Sequence, residues 1–359
     1  MDENKDKIIC WGHPNLQNPV LRNMYFKQLY NALSGNNVEC RCGYFNLWFS
    51  KFDLIHIQFP QQIGFHRNIL LSTLKAILLL GGILIARMRG KPVVWTMHNT
   101  APHDPAKWPW LAAVCWRTFQ RIATGSIYLT EGGRRIAVEK YPSVVQRAYA
   151  VIPHGHYCAV SGTLDDKAAS KKRLGYSESD RIFAYLGGIR PYKGCVDLVR
   201  AFNGIEDSLN LNLIVCGPCV PSEQRKLESL SGQNSHILLN FAKTDDDAFR
   251  QVLAVSDLVV LPYRDILNSG SVFHTLSLAR PVCAPRLGAL PEVQQIVGSD
   301  WLYLYDPPLR ADILLDAMSW AINTHRTSPD LSYFDWGKIG KMHREFYESQ
   351  LGLPKKAIA

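Results

Sequence analysis

Paired cysteines, low-complexity runs and short-period repeats are all missing from this chain of 359 residues. Its nine cysteines are scattered, which argues against a disulfide scaffold and for reduced thiols in a cytoplasmic protein. No secretory leader is expected, since the N-terminus passes from charged residues straight into an apolar segment at 8–11. No uninterrupted apolar run reaches the roughly 20 residues that a bilayer span needs. The nearest lies at 76–86, preceded by Lys75, and reads as part of a buried or surface-lying helix over 68–88. Acidic residues are outnumbered, 31 against 40 Lys and Arg, for a net charge of +9. Such a balance suits an anionic partner: acidic lipid, a phosphorylated small molecule or nucleic acid. No DNA- or RNA-binding module accompanies the charge, so nucleic acid is not expected.

The familiar phosphate and redox motifs are absent too. A Walker A loop requires G-x-x-x-x-G-K-[ST], but here Lys193 precedes Gly194 and no Ser or Thr follows. Gly187-Gly188 with Gly194 does not fit the dinucleotide fingerprint G-x-G-x-x-G. No D-x-D stands at a suitable strand end. Asp245-Asp246-Asp247 precedes a helical segment, where carboxylates suit the positive end of the dipole, so no metal is expected. Cys216-Gly217-Pro218-Cys219 spells C-x-x-C, yet it follows an apolar strand and reads as a Gly-Pro turn.

What is present is a sustained alternation of short apolar strands and amphipathic helices, which predicts parallel sheets covered by helices. Length and an ordinary composition, 47% hydrophobic and 20% charged, suit two domains. A polar stretch at 157–172 separates two similar halves, placing one domain at 1–158 and the second at 159–333. Two such halves would leave a cleft between them, with ligands at the carboxyl ends of strands.

The most informative stretch is 184–202: an apolar strand, the glycine turn Gly187-Gly188, the cations Arg190 and Lys193, then an amphipathic helix. Backbone N–H groups and the helix dipole favour an anion there, and the two cations suit a diphosphate. The same residues also read as an ordinary turn with two solvated charges. In the first half, the helices at 68–88 and 107–121 carry tryptophans and flanking Arg and Lys. That composition fits an interfacial anchor on anionic lipid, or core packing with solvated charges.

Taken in order, Asn18-Pro19, 56–60 (HIQFP), 93–104 (VVWTMHNTAPHD), 151–157 (VIPHGHY), 187–194 (GGIRPYKG), 256–271 (SDLVVLPYRDILNSGS) and 280–292 (RPVCAPRLGALPE) resemble the GT-B glycosyltransferases. The nearest likeness is to bacterial exopolysaccharide enzymes of the xanthan β-mannosyltransferase type. The resemblance implies an α/β fold of two Rossmann-like domains facing each other across a cleft. It implies an acceptor-binding first domain, a nucleotide-sugar-binding second domain, and a C-terminal helix near 334–350 that crosses back onto the first. Arg190, Lys193, Gly188 and the segment Ser269-Gly270-Ser271 would hold the donor diphosphate. Phe241, Lys243 and His274 would lie near the base and ribose, although Phe241 reads equally as core and Ser269 as a helix cap.

Retaining relatives carry two glutamates spaced E-x7-E; the corresponding positions here are Ile266, beside Asp265, and His274. An inverting mechanism follows, with a general base on the first domain. His98, His103 and Asp104 are the candidates: Asp104 or His103 as base, His98 as a sugar contact. Each also reads as a loop residue. Asn18, Glu131, His154 and His156 are further cleft candidates. The implied reaction moves mannose from GDP-mannose onto a polyprenyl-diphosphate-linked oligosaccharide in exopolysaccharide synthesis, without metal or other cofactor, on the cytoplasmic face of the membrane. UDP-glucose or UDP-glucuronate as donor, and a non-catalytic nucleotide-sugar-binding protein, are the alternatives.

Overall fold

Residues 211–216 are buried at every position, as expected of a strand covered on both faces. The computed structural model describes residues 6–13, 24–60, 68–100, 107–144, 147–206, 210–232, 234–242 and 245–353. It divides into two units, the first comprising 1–155 and 333–359, the second 156–332.

The first unit holds β1 (Ile8–His13), α1 (Met24–Ser34), β2 (Val38–Cys42), α2 (Tyr44–Phe49), β3 (Leu54–Ile57), α3 (Ile69–Met88), β4 (Val93–Met97), α4 (Pro109–Ile122), β5 (Gly125–Tyr128), α5 (Glu131–Lys140) and β6 (Ala148–Val151). Its six strands are parallel, in the order β2-β1-β3-β4-β5-β6. The second unit follows with α6 (Cys158–Ser161), α7 (Lys167–Arg173), β7 (Arg181–Leu186), α8 (Cys195–Asn203), β8 (Leu211–Cys216), α9 (Pro221–Ser231), β9 (Ile237–Asn240), α10 (Asp246–Val255), β10 (Leu258–Val260), α11 (Gly270–Ser277), β11 (Val282–Pro285), α12 (Leu290–Val297), β12 (Leu302–Tyr305) and α13 (Ala311–Asn323). Its sheet is parallel as well, ordered β12-β11-β10-β7-β8-β9. The last helix, α14 (Trp336–Gln350), belongs to the first unit and packs on α1.

Side chains alternate across a strand. In the first sheet Leu54 and Val94 join Tyr25, Phe26, Leu29, Ile339 and Tyr347 in the core beneath α1 and α14. Ile55, Ile57 and Val93 join Leu79, Ile83, Leu111 and Phe119 beneath α3 and α4 on the other face. α3 is a 20-residue helix that meets the length and composition of a membrane span. The sequence reading of a helix over 68–88 matches it closely, and the uninterrupted apolar run 76–86 is only its middle part. Ser72, Ala76, Leu79, Gly82, Ile83 and Ala86 are buried along one stripe. The opposite stripe is open, with Leu70 77%, Ile77 62% and Met88 80% exposed.

In the second unit the loop after β7 is pinned to the loop after β10. Gly194 has φ 70°, and a Cβ there would lie 1.9 Å from the Pro262 carbonyl oxygen. Arg264 N donates to the Tyr192 carbonyl at 2.8 Å, and the Arg264 guanidinium takes both oxygens of Asp197 at 2.5 and 2.6 Å. Gly194→Ala therefore forces strain on backbone that cannot move aside, at a cost of about 2 kcal/mol or more. The expected loss of melting temperature is about 4 °C or more; a scanning calorimetry trace that matches wild type would contradict this packing.

Candidate functional site

The strand order of the second sheet reverses between β7 and β10. Ligands of open α/β sheets collect outside the carboxyl ends of strands at such a point. Immediately after β7, Gly187 takes φ 130°, a conformation that side-chain-bearing residues rarely adopt. A Cβ on Gly187 would lie 3.5 Å from Lys193 Nζ and 3.7 Å from Ser271 Oγ, so both groups face the same small volume above this glycine. Lys193 is carried there by a one-turn helix at Pro191–Lys193. Ser271 lies in the first turn of α11, whose backbone N–H groups and dipole favour negative charge. An ammonium, a hydroxyl and a helix N-terminus around a glycine make a site for an anion of phosphate type.

The neighbouring side chains hold this arrangement. The Tyr263 hydroxyl is 2.7 Å from Ser269 Oγ, and its ring lies 6.0 Å from Lys193 Nζ. Ser269 caps α11, accepting from Val272 N at 3.3 Å, so its buried hydroxyl is committed to the helix and to Tyr263. Gly270 opens the helix. Gly188 accepts from the Tyr185 hydroxyl at 3.0 Å. Arg190 precedes the Pro191–Lys193 turn, and its guanidinium donates to the Ile189 carbonyl at 3.2 Å. Phe241 follows β9 directly and is half-buried. His274 stacks on Phe249 at 4.1 Å with 7° between planes, and its ring lies 5.4 Å from Tyr157. Burial in that stack lowers its pKa to about 4. Asp265 is exposed beside the buried Ile266. The C-x-x-C segment is a turn: Cys216 and Cys219 are free thiols, and Ile189 bridges to Cys219.

In the first unit the described candidates gather around His98, just beyond β4. Phe59 stacks on the His98 ring at 4.6 Å, and Tyr25 meets it edge-on at 5.2 Å. His98 Nε2 donates to Gln58 Oε1 at 2.5 Å. Gln58 Nε2 lies 3.1 Å from His56 Nε2. His56 also meets the Thr96 hydroxyl through Nε2 and the Tyr347 hydroxyl through Nδ1, both at 2.7 Å. His154 lies 4.8 Å from the Tyr25 ring and donates from Nδ1 to the Gly155 carbonyl at 2.8 Å. His343, on α14, donates from Nδ1 to Ile339 O at 2.9 Å and lies 5.8 Å from His56.

Burial, reinforced by the neighbouring imidazoles, lowers His98 to about 3, and burial lowers His154 and His343 to about 4. His98 is therefore a neutral hydrogen-bonding group at pH 7 and a poor base. Glu131 is not part of this cluster; it sits in the first turn of α5, paired with Arg134 at 2.6 Å. In the second unit His156 accepts from Cys158 N at 3.3 Å. Asn18, His103, Asp104 and Lys243 lie outside the described residues. Gln58, His56, Thr96 and Tyr347 were not anticipated as site residues. The signal was there in part: His56 is the one polar residue of an otherwise apolar strand, and Gln58 follows two residues later.

Two α/β units, each built on a parallel six-stranded sheet, are the architecture of the GT-B fold. Residues 180–323 match the family described as glycosyl transferases group 1. The chain is 29% identical over 334 residues to the GDP-mannose:glycolipid 4-beta-D-mannosyltransferase of Xanthomonas campestris pv. campestris, covering 92% of this chain and 89% of the relative. Among solved structures, Anabaena Alr3699/HepE in complex with UDP superposes with a TM-score of 0.66 at 14% identity, covering 96% of this chain and 100% of the other. Sucrose-phosphate synthase from Thermosynechococcus elongatus gives 0.65 at 15%, covering 96% and 95%. At these identities the two structures speak for the fold.

The buried histidines carry a pH prediction. His56, His98, His154 and His343 are all held below their ordinary value of 6.5 by burial. Between about pH 6.5 and 4 the unfolded chain binds protons that the folded unit refuses, so stability falls as pH falls through that window. The slope approaches about 1.4 kcal/mol per pH unit for each histidine. The melting temperature should be level from pH 7 to 8 and drop by several degrees at pH 5. A value at pH 5 equal to that at pH 7.5 would refute the neutral, buried state of the cluster.

Proposed function

We propose that this chain transfers mannose from GDP-mannose, with inversion at the anomeric carbon, to a polyprenyl-diphosphate-linked oligosaccharide. The setting is exopolysaccharide assembly on the cytoplasmic face of a membrane. The observation that carries the reading is the convergence of Lys193 and the α11 N-terminus on Gly187. That site suits the diphosphate of a nucleotide sugar. The likeness to the Xanthomonas GDP-mannose:glycolipid 4-beta-D-mannosyltransferase supports the sugar, the donor base and the lipid-linked acceptor.

In this reading an acceptor hydroxyl attacks the anomeric carbon on the side opposite the diphosphate. The bond from carbon to the diphosphate oxygen breaks, and the departing charge is received by Lys193, Arg190, Ser271 and the helix terminus. These groups take the part that a divalent cation plays elsewhere. His98, neutral, serves as a hydrogen-bond contact for the sugar, and His103 or Asp104 takes the acceptor proton. Ile266 and His274 stand where retaining relatives carry glutamates, which favours a single inverting displacement.

The acceptor's lipid would be met at the open stripe of α3. Leu70, Leu74, Ile77 and Met88 there, Trp110 on α4 and Phe45 and Phe49 on α2 are exposed. Lys75, Arg87, Arg89 and Lys91 lie on and beyond the same helix, as in an anchor on anionic lipid.

A melting-temperature panel with GDP, UDP, ADP and CDP, with and without EDTA, tests the donor. GDP alone should stabilise, by about 2.7 kcal/mol at a hundred times its Kd, and EDTA should not matter. A shift with UDP alone moves the donor to a glucosyl or glucuronosyl nucleotide. Binding without transfer to any acceptor makes the chain a binding protein, and no shift with any nucleotide defeats the reading. Lys193→Ala should weaken GDP about 10- to 100-fold. For the membrane face, the double variant Leu74→Glu, Ile77→Glu should keep the wild-type melting temperature and lose most of its co-sedimentation with phosphatidylglycerol vesicles. Equal sedimentation of variant and wild type would remove this face from the account.

A further inference from the structure

A cleft of about 360 Å³ lies between α2 and α3 in the first unit. Its charged lining is Lys51, Arg89 and Lys91, with Asp53 as the one carboxylate among its described lining residues. Trp48 and Ile85 belong to its apolar wall. Asp53 directly precedes β3, and Lys91 lies two residues before β4. The cleft therefore sits at the amino ends of these strands. Gln58 follows the carboxyl end of β3, about 16 Å from Asp53 at roughly 3.3 Å per residue. The cleft is thus separate from the imidazole cluster around His98.

Its walls are held firmly. Trp48 Nε1 donates to the Leu78 carbonyl at 3.1 Å, and a Cβ on Gly82 would lie 2.6 Å from Leu47 Cδ2, so α2 packs directly on α3. Arg41 Nη1 fixes the backbone of Lys51 by donating to its carbonyl at 3.0 Å. Cations at a helix carboxyl end are ordinarily explained by the last carbonyls and the negative pole of the dipole. Here the chain closes that end itself: Arg89 N donates to the Ile85 carbonyl at 3.0 Å, Gly90 N to the Arg87 carbonyl at 2.9 Å, and Lys91 N to the Ala86 carbonyl at 3.0 Å. Arg87 adds a bond from Nη1 to the Lys91 carbonyl at 3.0 Å. Among the described residues no carboxylate pairs with Lys51, Arg89 or Lys91. Asp53 is committed to the sheet, where its Oδ2 accepts from Ile9 N at 2.8 Å. Three like charges around one cleft repel one another, and an anion between them relieves that repulsion.

The rim says which anion. Phe49 on α2 is 77% exposed and Met88 on α3 is 80% exposed, each adjacent in sequence to a lining residue, Trp48 and Arg89. Ile85 in the wall is the helix neighbour of both Met88 and Arg89, three and four residues on. The cationic cleft thus opens within the exposed apolar face. A soluble phosphate has no use for such a rim, whereas a phospholipid presents a phosphate and hydrocarbon side by side. We propose that this cleft seats the headgroup phosphate of an anionic phospholipid, held by Lys51, Arg89 and Lys91, with Phe49 and Met88 entering the acyl region beside it. The assignment rests on the membrane-face reading above and sharpens it: the attraction is to one built site. Lys75, on the same helix but outside the cleft, has no part in it.

The test is co-sedimentation of the full-length protein with vesicles of phosphatidylglycerol in phosphatidylcholine. The pair Arg89→Gln, Lys91→Gln is set against a control pair, Lys75→Gln, Arg121→Gln, which removes the same charge from α3 and α4 outside the cleft. A diffuse basic surface treats the two pairs alike. A headgroup site should lose about 30-fold or more in vesicle affinity with the first pair and less than about fivefold with the control. Both pairs should keep the wild-type melting temperature. Lys51→Gln, which lies on another segment and shares only the cleft with Arg89 and Lys91, should weaken binding more than Lys75→Gln does. On vesicles of phosphatidylcholine alone, wild type and the Arg89, Lys91 pair should sediment equally.

Equal losses in the two pairs, or a Lys51→Gln no weaker than Lys75→Gln, overturn the cleft and leave the membrane face standing. A wild type that does not sediment with the phosphatidylglycerol vesicles defeats the membrane face, and the lipid assignment with it. Glycerol 3-phosphate is the soluble probe. If it raises the melting temperature of wild type but not of the Arg89, Lys91 pair, while vesicles bind both equally, the cleft takes a free phosphate and the lipid assignment is overturned.

Discussion

A strand followed by a parallel neighbour must be joined by a crossover, and in both sheets here the crossovers are helical. Each chain therefore leaves the sheet at a strand's carboxyl end and next meets a helix's amino end. Unsatisfied N–H groups and a fixed positive potential accumulate along that edge. Where the order reverses between β7 and β10, the two loops diverge and the edge opens. Lys193, Ser271 and the start of α11 occupy that opening, with Gly187 as its floor. In the first unit the order reverses between β1 and β3, and Gln58 and Phe59 follow β3 directly.

Lysine and serine alone would be a weak anion site in water. Immobility would strengthen them. The close approach of Gly194 to the Pro262 carbonyl, and the two-pronged Arg264–Asp197 pair, hold the loops after β7 and β10 in one register. Tyr263 extends the same loop to the cap of α11. The backbone that carries Lys193 is thereby held in place, which would reduce the ordering cost of binding an anion there.

The alternation of strands and helices was legible because each strand is a short apolar run with a clear boundary. The turn that carries Lys193 was legible for a related reason: Gly187-Gly188 and Lys193 are neighbours in sequence. The cap formed by Ser269 was one of the two readings its type allowed, whereas the stacking of His274 could not be read from type. Capping and stacking depend on partners such as Tyr263 and Phe249, which only folding brings together. The network around His98 was hidden for the strongest version of that reason. Two of its members are strand residues that look like tolerated polar substitutions, and a third comes from the far end of the chain.

That distant contribution has a consequence for synthesis. Residues 156–332 form a unit with its own sheet and core, so they can fold as soon as they leave the ribosome. The first unit cannot be completed so early. One face of its sheet is covered in part by α14, and Trp336, Ile339, Phe346 and Tyr347 belong to that core. Until residue 350 has emerged, the nascent first half carries an open apolar sheet face and an imidazole network lacking its terminal hydroxyl. The unit that begins first finishes last, with part of its core still to be supplied during the interval.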